Sequence, residues 1–465
     1  MAGMRALLVS TYDLGHQPFG LASPAAWLRR DGVHVDCADL AREPLDEEVV
    51  RRADLIAFHL PMHTATRMAA GVIKKVRGLN ATARLAAYGL YAPLNEAWLR
   101  SLGVAEVFGG EFEADLADAA RRLQRGDPAG PPPADTPRPL AKLQFIQPDR
   151  AGLPPLSRYA TLRLADGTTR VAGYTEASRG CLHLCRHCPV VPVYDGQFRI
   201  VQPEVVLADI DAQVAAGAQH ITFGDPDFFN GPTHALRLVE QLHQRHPSVT
   251  YDATIKVEHL LAHRAQLTRL RDTGCLFVTS AVESIDDRVL ALLDKGHSGA
   301  DFELALTACR EAGVPLVPTF VAFHPWMTRE SYCDLLAALV RLELVDHVAP
   351  IQLAIRLLIP SASRLLAHPD IQPHLEGFDE KTLTYRWHHA DPEVDRLQVD
   401  VAALVGRRLA GERRALFAEI AALAYARAGR RDAPPVPLDP QVAIPQFDEP
   451  WYCCAEPNPE QLTLV

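Results

Sequence analysis

Gly173-Tyr174-Thr175-Glu176-Ala177-Ser178-Arg179-Gly180-Cys181-Leu182-His183-Leu184-Cys185-Arg186-His187-Cys188-Pro189 follows a predicted strand and carries three cysteines in Cys-x-x-x-Cys-x-x-Cys spacing. Three close thiolates hold three corners of a cubane [4Fe–4S] cluster and leave the fourth iron open to another molecule. A structural zinc site wants four ligands, so the rival reading needs a distant fourth donor. With nine cysteines in 465 residues, chance would produce this spacing on the order of once in several hundred such chains, which makes coincidence a weak rival. Cys181, Cys185 and Cys188 are therefore read as cluster ligands, with Gly180 and Pro189 shaping a loop whose amides can face the sulfides.

This segment resembles the cluster loop of the radical S-adenosylmethionine (SAM) enzymes, an identification that the Ser178-Arg179-Gly180 flank and the βα repeats after it support. The resemblance implies that the open iron holds the amino and carboxylate groups of SAM, and that an electron passed into the sulfonium breaks a carbon–sulfur bond. It also implies an electron donor such as flavodoxin or ferredoxin.

The rest of the chain is read around that loop. At 465 residues and 48% hydrophobic, it can bury a large core and divide into two or three domains. Residues 1–125 alternate apolar runs (Ala6 to Ser10, Val33 to Cys37, Leu55 to His59, Arg84 to Tyr88, Val104 to Phe108) with helical stretches, a five-stranded parallel α/β pattern. Ser23 and Pro24 look like a helix start, with an N-cap hydroxyl and proline at the first helical position. The layout is that of a Rossmann-like module resembling the cobalamin-binding domain that precedes the barrel in one radical SAM branch. Residues 126–160 read as a proline-rich linker. Residues 161–366 read as a partial TIM-type (β/α)6 barrel, with strands at His220 to Phe223, Thr250 to Ile255, Leu276 to Ala281, Leu316 to Ala322 and Ile351 to Leu358. Pro203 opens a helix with Val206, Ile210 and Val214 on one face. Residues 367–465 read as a helical region, notably Val394 to Ala428, followed by a flexible proline-rich tail with Cys453 and Cys454. The fold class is α/β throughout.

Composition excludes several functions. The net charge of −10 argues against broad nucleic-acid binding. No leader pattern or run of 18 apolar residues is visible, so neither export nor a membrane span is expected. An odd cysteine count and an oxygen-sensitive cluster point to a reducing cytoplasm. Cys37, Cys275, Cys309 and Cys333 lie in apolar patterns and read as packed core thiols.

Motifs at the strand ends supply candidate cofactor contacts. Phe223-Gly224-Asp225-Pro226-Asp227 resembles the glycine and acidic motif that meets the methionyl ammonium in related enzymes, with Gly224 allowing close approach and Asp225 accepting; a turn with a capping aspartate is the plainer reading. Val282-Glu283-Ser284 and Lys295-Gly296 match the Glu-Ser…Lys-Gly pattern of the same branch, and Glu283 is a candidate cofactor contact or else a rim carboxylate. Lys256 and Arg356 are candidates for the methionyl carboxylate, or structural cations. A cobalamin domain that ligates cobalt by histidine carries Asp-x-His-x-x-Gly, which Asp13-Leu14-Gly15-His16-Gln17-Pro18-Phe19-Gly20 does not match. His16 is expected in a polar loop contact or against substrate, while cobalamin without a histidine ligand stays compatible.

Trp451-Tyr452-Cys453-Cys454-Ala455-Glu456-Pro457 places a vicinal thiol pair near the end of the chain, suited to soft-ligand capture or redox chemistry. This ending resembles that of a radical SAM family whose members finish in Cys-Cys-Ala-Glu-Pro, or the same motif with selenocysteine second, and which includes the enzyme of arsinothricin biosynthesis. The resemblance implies transfer of the 3-amino-3-carboxypropyl group of SAM to arsenite held by Cys453 and Cys454, giving hydroxyarsinothricin and methylthioadenosine. A cobalamin-dependent radical methylase of a small metabolite, and a thiol-and-cluster metalloid sensor, are the alternatives.

Overall fold

The structure is a computed structural model, and it describes residues 3–129, 143–408, 412–436, 444–449 and 455–457. Strands β1 (Arg5–Ser10), β2 (His34–Asp39), β3 (Leu55–His59), β4 (Arg84–Tyr88) and β5 (Glu106–Phe108) form a parallel sheet in the order β2-β1-β3-β4-β5. Helices cover both faces, and β3 is buried along its whole length, which is why its sequence is a continuous apolar run rather than an alternation. The first helix begins at Phe19, not at the expected Ser23-Pro24 pair, so Pro24 lies inside it. An internal proline cannot donate to the carbonyl four residues back. Here that carbonyl, of Gly20, accepts from the Tyr88 hydroxyl at 2.8 Å, and Ser23 Oγ donates to Glu113 at 2.6 Å instead of capping.

The second sheet is built from β6 (Thr161–Arg163), β7 (Thr169–Thr175), β10 (His220–Phe223), β11 (Thr250–Thr254), β12 (Cys275–Glu283) and β13 (Leu316–Phe320), with a small antiparallel pair, β8 (Ser178–Gly180) and β9 (Phe198–Ile200), between β7 and β10 in the chain. β7 and β10 to β13 run parallel in the order β13-β12-β11-β10-β7, and β6 and then β16 (Gln446–Phe447) extend the sheet antiparallel. The result is a curled half-barrel with helices outside it. The expected sixth strand at 351–358 is reduced: Pro350–Leu353 is a 3-10 turn and only Arg356 bridges to Phe323. Buried Gln352 takes the place of a ladder partner by accepting from the Phe320 amide.

Beyond the barrel, β14 (Leu375–Asp379) and β15 (Thr384–Trp387) form a hairpin where the sequence pattern predicts helix. Helices Pro392–Arg407 and Arg413–Arg427 follow, and their Leu397, Val401, Leu416 and Ile420 complete the barrel core. No helix of the described residues is long and apolar enough to cross a membrane.

Residues 143–160 do not behave as a free linker. Arg150 donates to Asp209 at 2.9 Å, to Gln17 at 2.8 Å and to the Tyr174 carbonyl at 2.7 Å, tying the two sheets together. Arg179, one residue before Gly180, makes a bidentate pair with Glu113 of the N-terminal module at 2.8 and 2.6 Å, both side chains being buried. Its guanidinium also lies over Phe19, Phe112 and Phe145.

Candidate active site

The three cysteines lie on the loop joining β8 to β9, at the carboxyl edge of the half-barrel. Gly180 turns the chain into that loop with φ +76°, and a Cβ there would collide with the Gln197 carbonyl and the Tyr194 ring. The Cys181 amide donates to the Gln197 carbonyl at 3.1 Å, and the Leu182 amide to Asn230 at 3.2 Å. Arg186 anchors the other side, with its amide on Leu293 and its guanidinium on the carbonyls of Ala291 and Leu292. All three cysteines are free thiols. Burial pushes Cys181 up and Cys188 to about 12, so these thiols hold their protons until a metal displaces them. The two imidazoles on the loop turn away to carboxylates: His187 Nε2 lies 3.1 Å from Glu283 and His183 Nε2 3.6 Å from Asp227. That arrangement fits a three-thiolate [4Fe–4S] site with one iron left for SAM better than it fits a closed zinc site.

Glu283 meets the cluster loop through His187. It occupies φ +70° at a bulge that ends β12, a strained position for a residue with a side chain. Its carboxylate is shared between His187 and Lys295, the latter at 3.4 Å. Burial works to raise its pKa, yet the Lys295 ammonium and the His187 hydrogen bond hold it near 2. Burial likewise disfavours the Lys295 charge, and Glu283, with Cys185 and Cys188 behind it, keeps the ammonium protonated. Lys295 therefore brings a fixed positive charge to a site where thiolates and a carboxylate gather. A cavity of about 200 Å³ opens next to Glu283, lined by Ser284, Val321, His324, Met327 and Tyr332.

The other candidates are each engaged within the protein. Asp225 is buried and accepts from the Ala177 amide at 2.9 Å and from Ser178 Oγ at 2.5 Å, so its carboxylate braces the strand that leads into the cluster loop. Burial lifts it to about 7 against those donors. Gly224 is demanded by the Tyr174 phenol, which any Cβ would strike. Lys256 precedes helix Val257–Ala262 and its ammonium pairs with Glu258, near the cluster edge. Arg356 donates to Asp395 at 2.7 Å and to the Trp387 carbonyl at 2.6 Å while stacking on the Trp387 ring, which makes it a clamp on the C-terminal helices. Cys275, Cys309 and Cys333 are buried and Cys37 half-buried.

Cys453 and Cys454 lie outside the described residues, but the tripeptide after them is placed. The Ala455 carbonyl accepts from Thr64 Oγ1 at 2.8 Å, its methyl joins the barrel core, and Glu456 pairs with His63 at 3.1 Å and with Arg67. His63, Thr64 and Arg67 begin helix His63–Leu79 of the N-terminal module, whose terminal amides suit an anion. Sequence reasoning did not find these partners, nor the pairs His187–Glu283 and Arg179–Glu113; each joins segments 66 to 393 residues apart, and nothing local signals them.

Residues 175–339 match the family described as the Radical SAM superfamily, so this part of the chain is a radical SAM domain. Its relatives include the hopanoid C-2 methylase of Rhodopseudomonas palustris (strain TIE-1), 24% identical over 170 residues; the match takes in 35% of this chain and about a third, 32%, of the relative. Two solved structures share the larger architecture. The radical SAM methyltransferase TsrM from Kitasatospora setae, with tryptophan and a SAM analogue bound, aligns over 78% of this chain and 75% of its own at TM-score 0.60 and 16% identity. The cobalamin-dependent radical SAM enzyme OxsB, with aqua-cobalamin bound, aligns over 87% and 67% at TM-score 0.65 and 14% identity. At these identities the likeness is one of fold.

Three histidines of the N-terminal module lie near the carboxyl ends of its strands. His16 packs between Tyr174 and Phe447, where burial lowers its pKa to about 4. His59 is enclosed beneath Gly20 beside Tyr88, with burial and then Arg179 lowering it to about 3, and His63 is engaged by Glu456. Enclosed or engaged in this way, His16, His59 and His63 do not fit ligation of a corrinoid's cobalt.

Proposed function

We propose that this protein is a radical SAM transferase that moves a carbon fragment of SAM onto a small substrate at the carboxyl edge of the half-barrel. The convergence of three free thiols with the Glu283–Lys295–His187 group carries the reading. A cluster bound there supplies one electron to the sulfonium. Around it, Lys295 balances negative charge, Glu283 orients His187 on the loop, and Asp225 fixes the strand from which the loop departs.

The fragment is read first as methyl, transferred by a cobalamin-dependent enzyme to a small metabolite. Support comes from the layout, a five-stranded parallel module ahead of a half-barrel, which TsrM and OxsB share, and from the methylase among the relatives. A second reading is favoured by one separate observation, the docking of Ala455 and Glu456 onto the barrel core and helix His63–Leu79. Under it, Cys453 and Cys454 capture arsenite as a dithiolate, and the 3-amino-3-carboxypropyl group passes to arsenic as hydroxyarsinothricin, with methylthioadenosine released. Flavodoxin or ferredoxin would serve as electron donor in either case.

Anaerobic turnover with SAM, reductant and arsenite, with and without added cobalamin, separates the readings by their nucleoside co-product. S-adenosylhomocysteine with cobalamin dependence supports methyl transfer. Methylthioadenosine with an arsenic-containing amino acid establishes aminocarboxypropyl transfer. Absence of any SAM-derived nucleoside contradicts the transferase assignment.

A further inference from the structure

Beside the cluster loop, His183 Nε2, Asp227 Oδ2 and His259 Nδ1 lie within 4.8 Å of one another. The individual separations from Asp227 Oδ2 are 3.6 Å to His183 and 2.7 Å to His259. All three atoms are buried, and none has a hydrogen-bond partner. A buried carboxylate oxygen within ion-pair distance of two ring nitrogens is stabilised by a cation shared among them, whether a proton on an imidazole or a metal ion. The surroundings hold each group in place. Asp227 Oδ1 accepts from the Phe229 amide at 3.1 Å, which leaves Oδ2 facing the imidazoles. His183 Nδ1 faces Glu258 at 3.4 Å, the carboxylate–imidazole arrangement that orients metal-binding histidines. The Lys256 ammonium is paired with Glu258.

We propose that His183, Asp227 and His259 form a second metal site, separate from the cluster, for a divalent first-row ion such as zinc or ferrous iron. Two imidazoles and one carboxylate suit that class; magnesium and calcium prefer all-oxygen sets. His183 belongs to the cluster loop, Asp227 to the turn after β10, and His259 to helix Val257–Ala262 after β11. An ion at this point clasps the loop to two strand ends and leaves coordination positions for an anionic group of the substrate.

The test uses cluster-loaded protein, desalted anaerobically, dialysed against micromolar zinc, and assayed for iron and zinc per chain. The wild-type protein is expected to gain one zinc at unchanged iron content, with magnesium not competing. His259→Gln is expected to lose that zinc while keeping the cluster iron, and Glu258→Gln to weaken zinc binding about tenfold, as changes to orienting carboxylates do. If His259→Gln fails to hold the cluster, Glu258→Gln, which leaves all three donors in place, gives the deciding affinity. Zinc uptake equal in wild type and Glu258→Gln, retained in His259→Gln, or absent from wild type overturns the proposal.

Discussion

The carboxyl edges of the two parallel sheets meet in this molecule, and they gather different chemical groups. On the N-terminal sheet, the Gly20 carbonyl is satisfied by Tyr88, Ser23 and Arg179 converge on Glu113, and His63 holds Glu456. On the half-barrel, the thiols of Cys181, Cys185 and Cys188 are free, and Asp227 faces the rings of both His183 and His259. Satisfied groups stiffen a structure, whereas a concentration of unsatisfied buried ones marks a place built for something else to bind. The barrel edge gathers the thiols, while Glu113 and Glu456 join the N-terminal module to the loop and to the end of the chain.

The largest effect should follow from changing the barrel edge itself. Cys185→Ser removes one cluster corner, and the reconstituted protein is expected to lose the broad iron–sulfur absorbance and its iron while staying folded by circular dichroism. Next comes the joint between the edges. Glu113→Gln leaves Arg179 with Glu176 and Glu111 as its carboxylate partners, and loss of about 1.5–3 kcal/mol is expected in denaturant unfolding. A loss below about 1 kcal/mol would show that the joint is not supporting the loop.

A pH experiment sharpens the same contrast. The folded pKa of Glu283, about 2, lies below the ordinary 4.5. A depressed carboxylate contributes stability above its unfolded value and loses it as pH falls toward the folded value. Wild type should therefore lose stability between about pH 4.5 and 2 in part through Glu283, and Glu283→Gln should flatten that portion of the curve. An unchanged slope would place the Lys295 and His187 contacts outside the energetics of folding.

The smallest effect belongs to the N-terminal sheet. Tyr88→Phe strands the Gly20 carbonyl, because Pro24 has no N–H to offer, and about 1–2 kcal/mol should be lost. Pro24→Ala supplies the missing donor and should recover part of that loss in the double variant. Additive losses would mean the Gly20 carbonyl is satisfied in some other way.

Much of this architecture is legible in the sequence, for a physical reason. A strand buried on both faces reads as a near-continuous apolar run, so Leu55 to His59 is read at its true place. The hairpin of β14 and β15 was not legible, since Leu375–Asp379 is largely exposed and carries no apolar alternation. Pro24 misled for a different reason: proline marks a helix start only when no distant hydroxyl stands in for its absent N–H. The cluster spacing is local and readable. The roles of Asp225 and Arg356 are not, because whether a carboxylate or guanidinium is free for a ligand depends on Ala177, Ser178, Asp395 and Trp387, which only the fold brings near.

The central claim is that three thiolates hold a cluster with one iron left for SAM. Electron paramagnetic resonance of the chemically reduced, reconstituted protein, recorded with and without SAM, addresses it directly. The account predicts a [4Fe–4S]⁺ signal whose g-values shift when SAM is added and which Cys185→Ser abolishes. A signal indifferent to SAM, or protein that retains zinc in place of iron and sulfide, would contradict it.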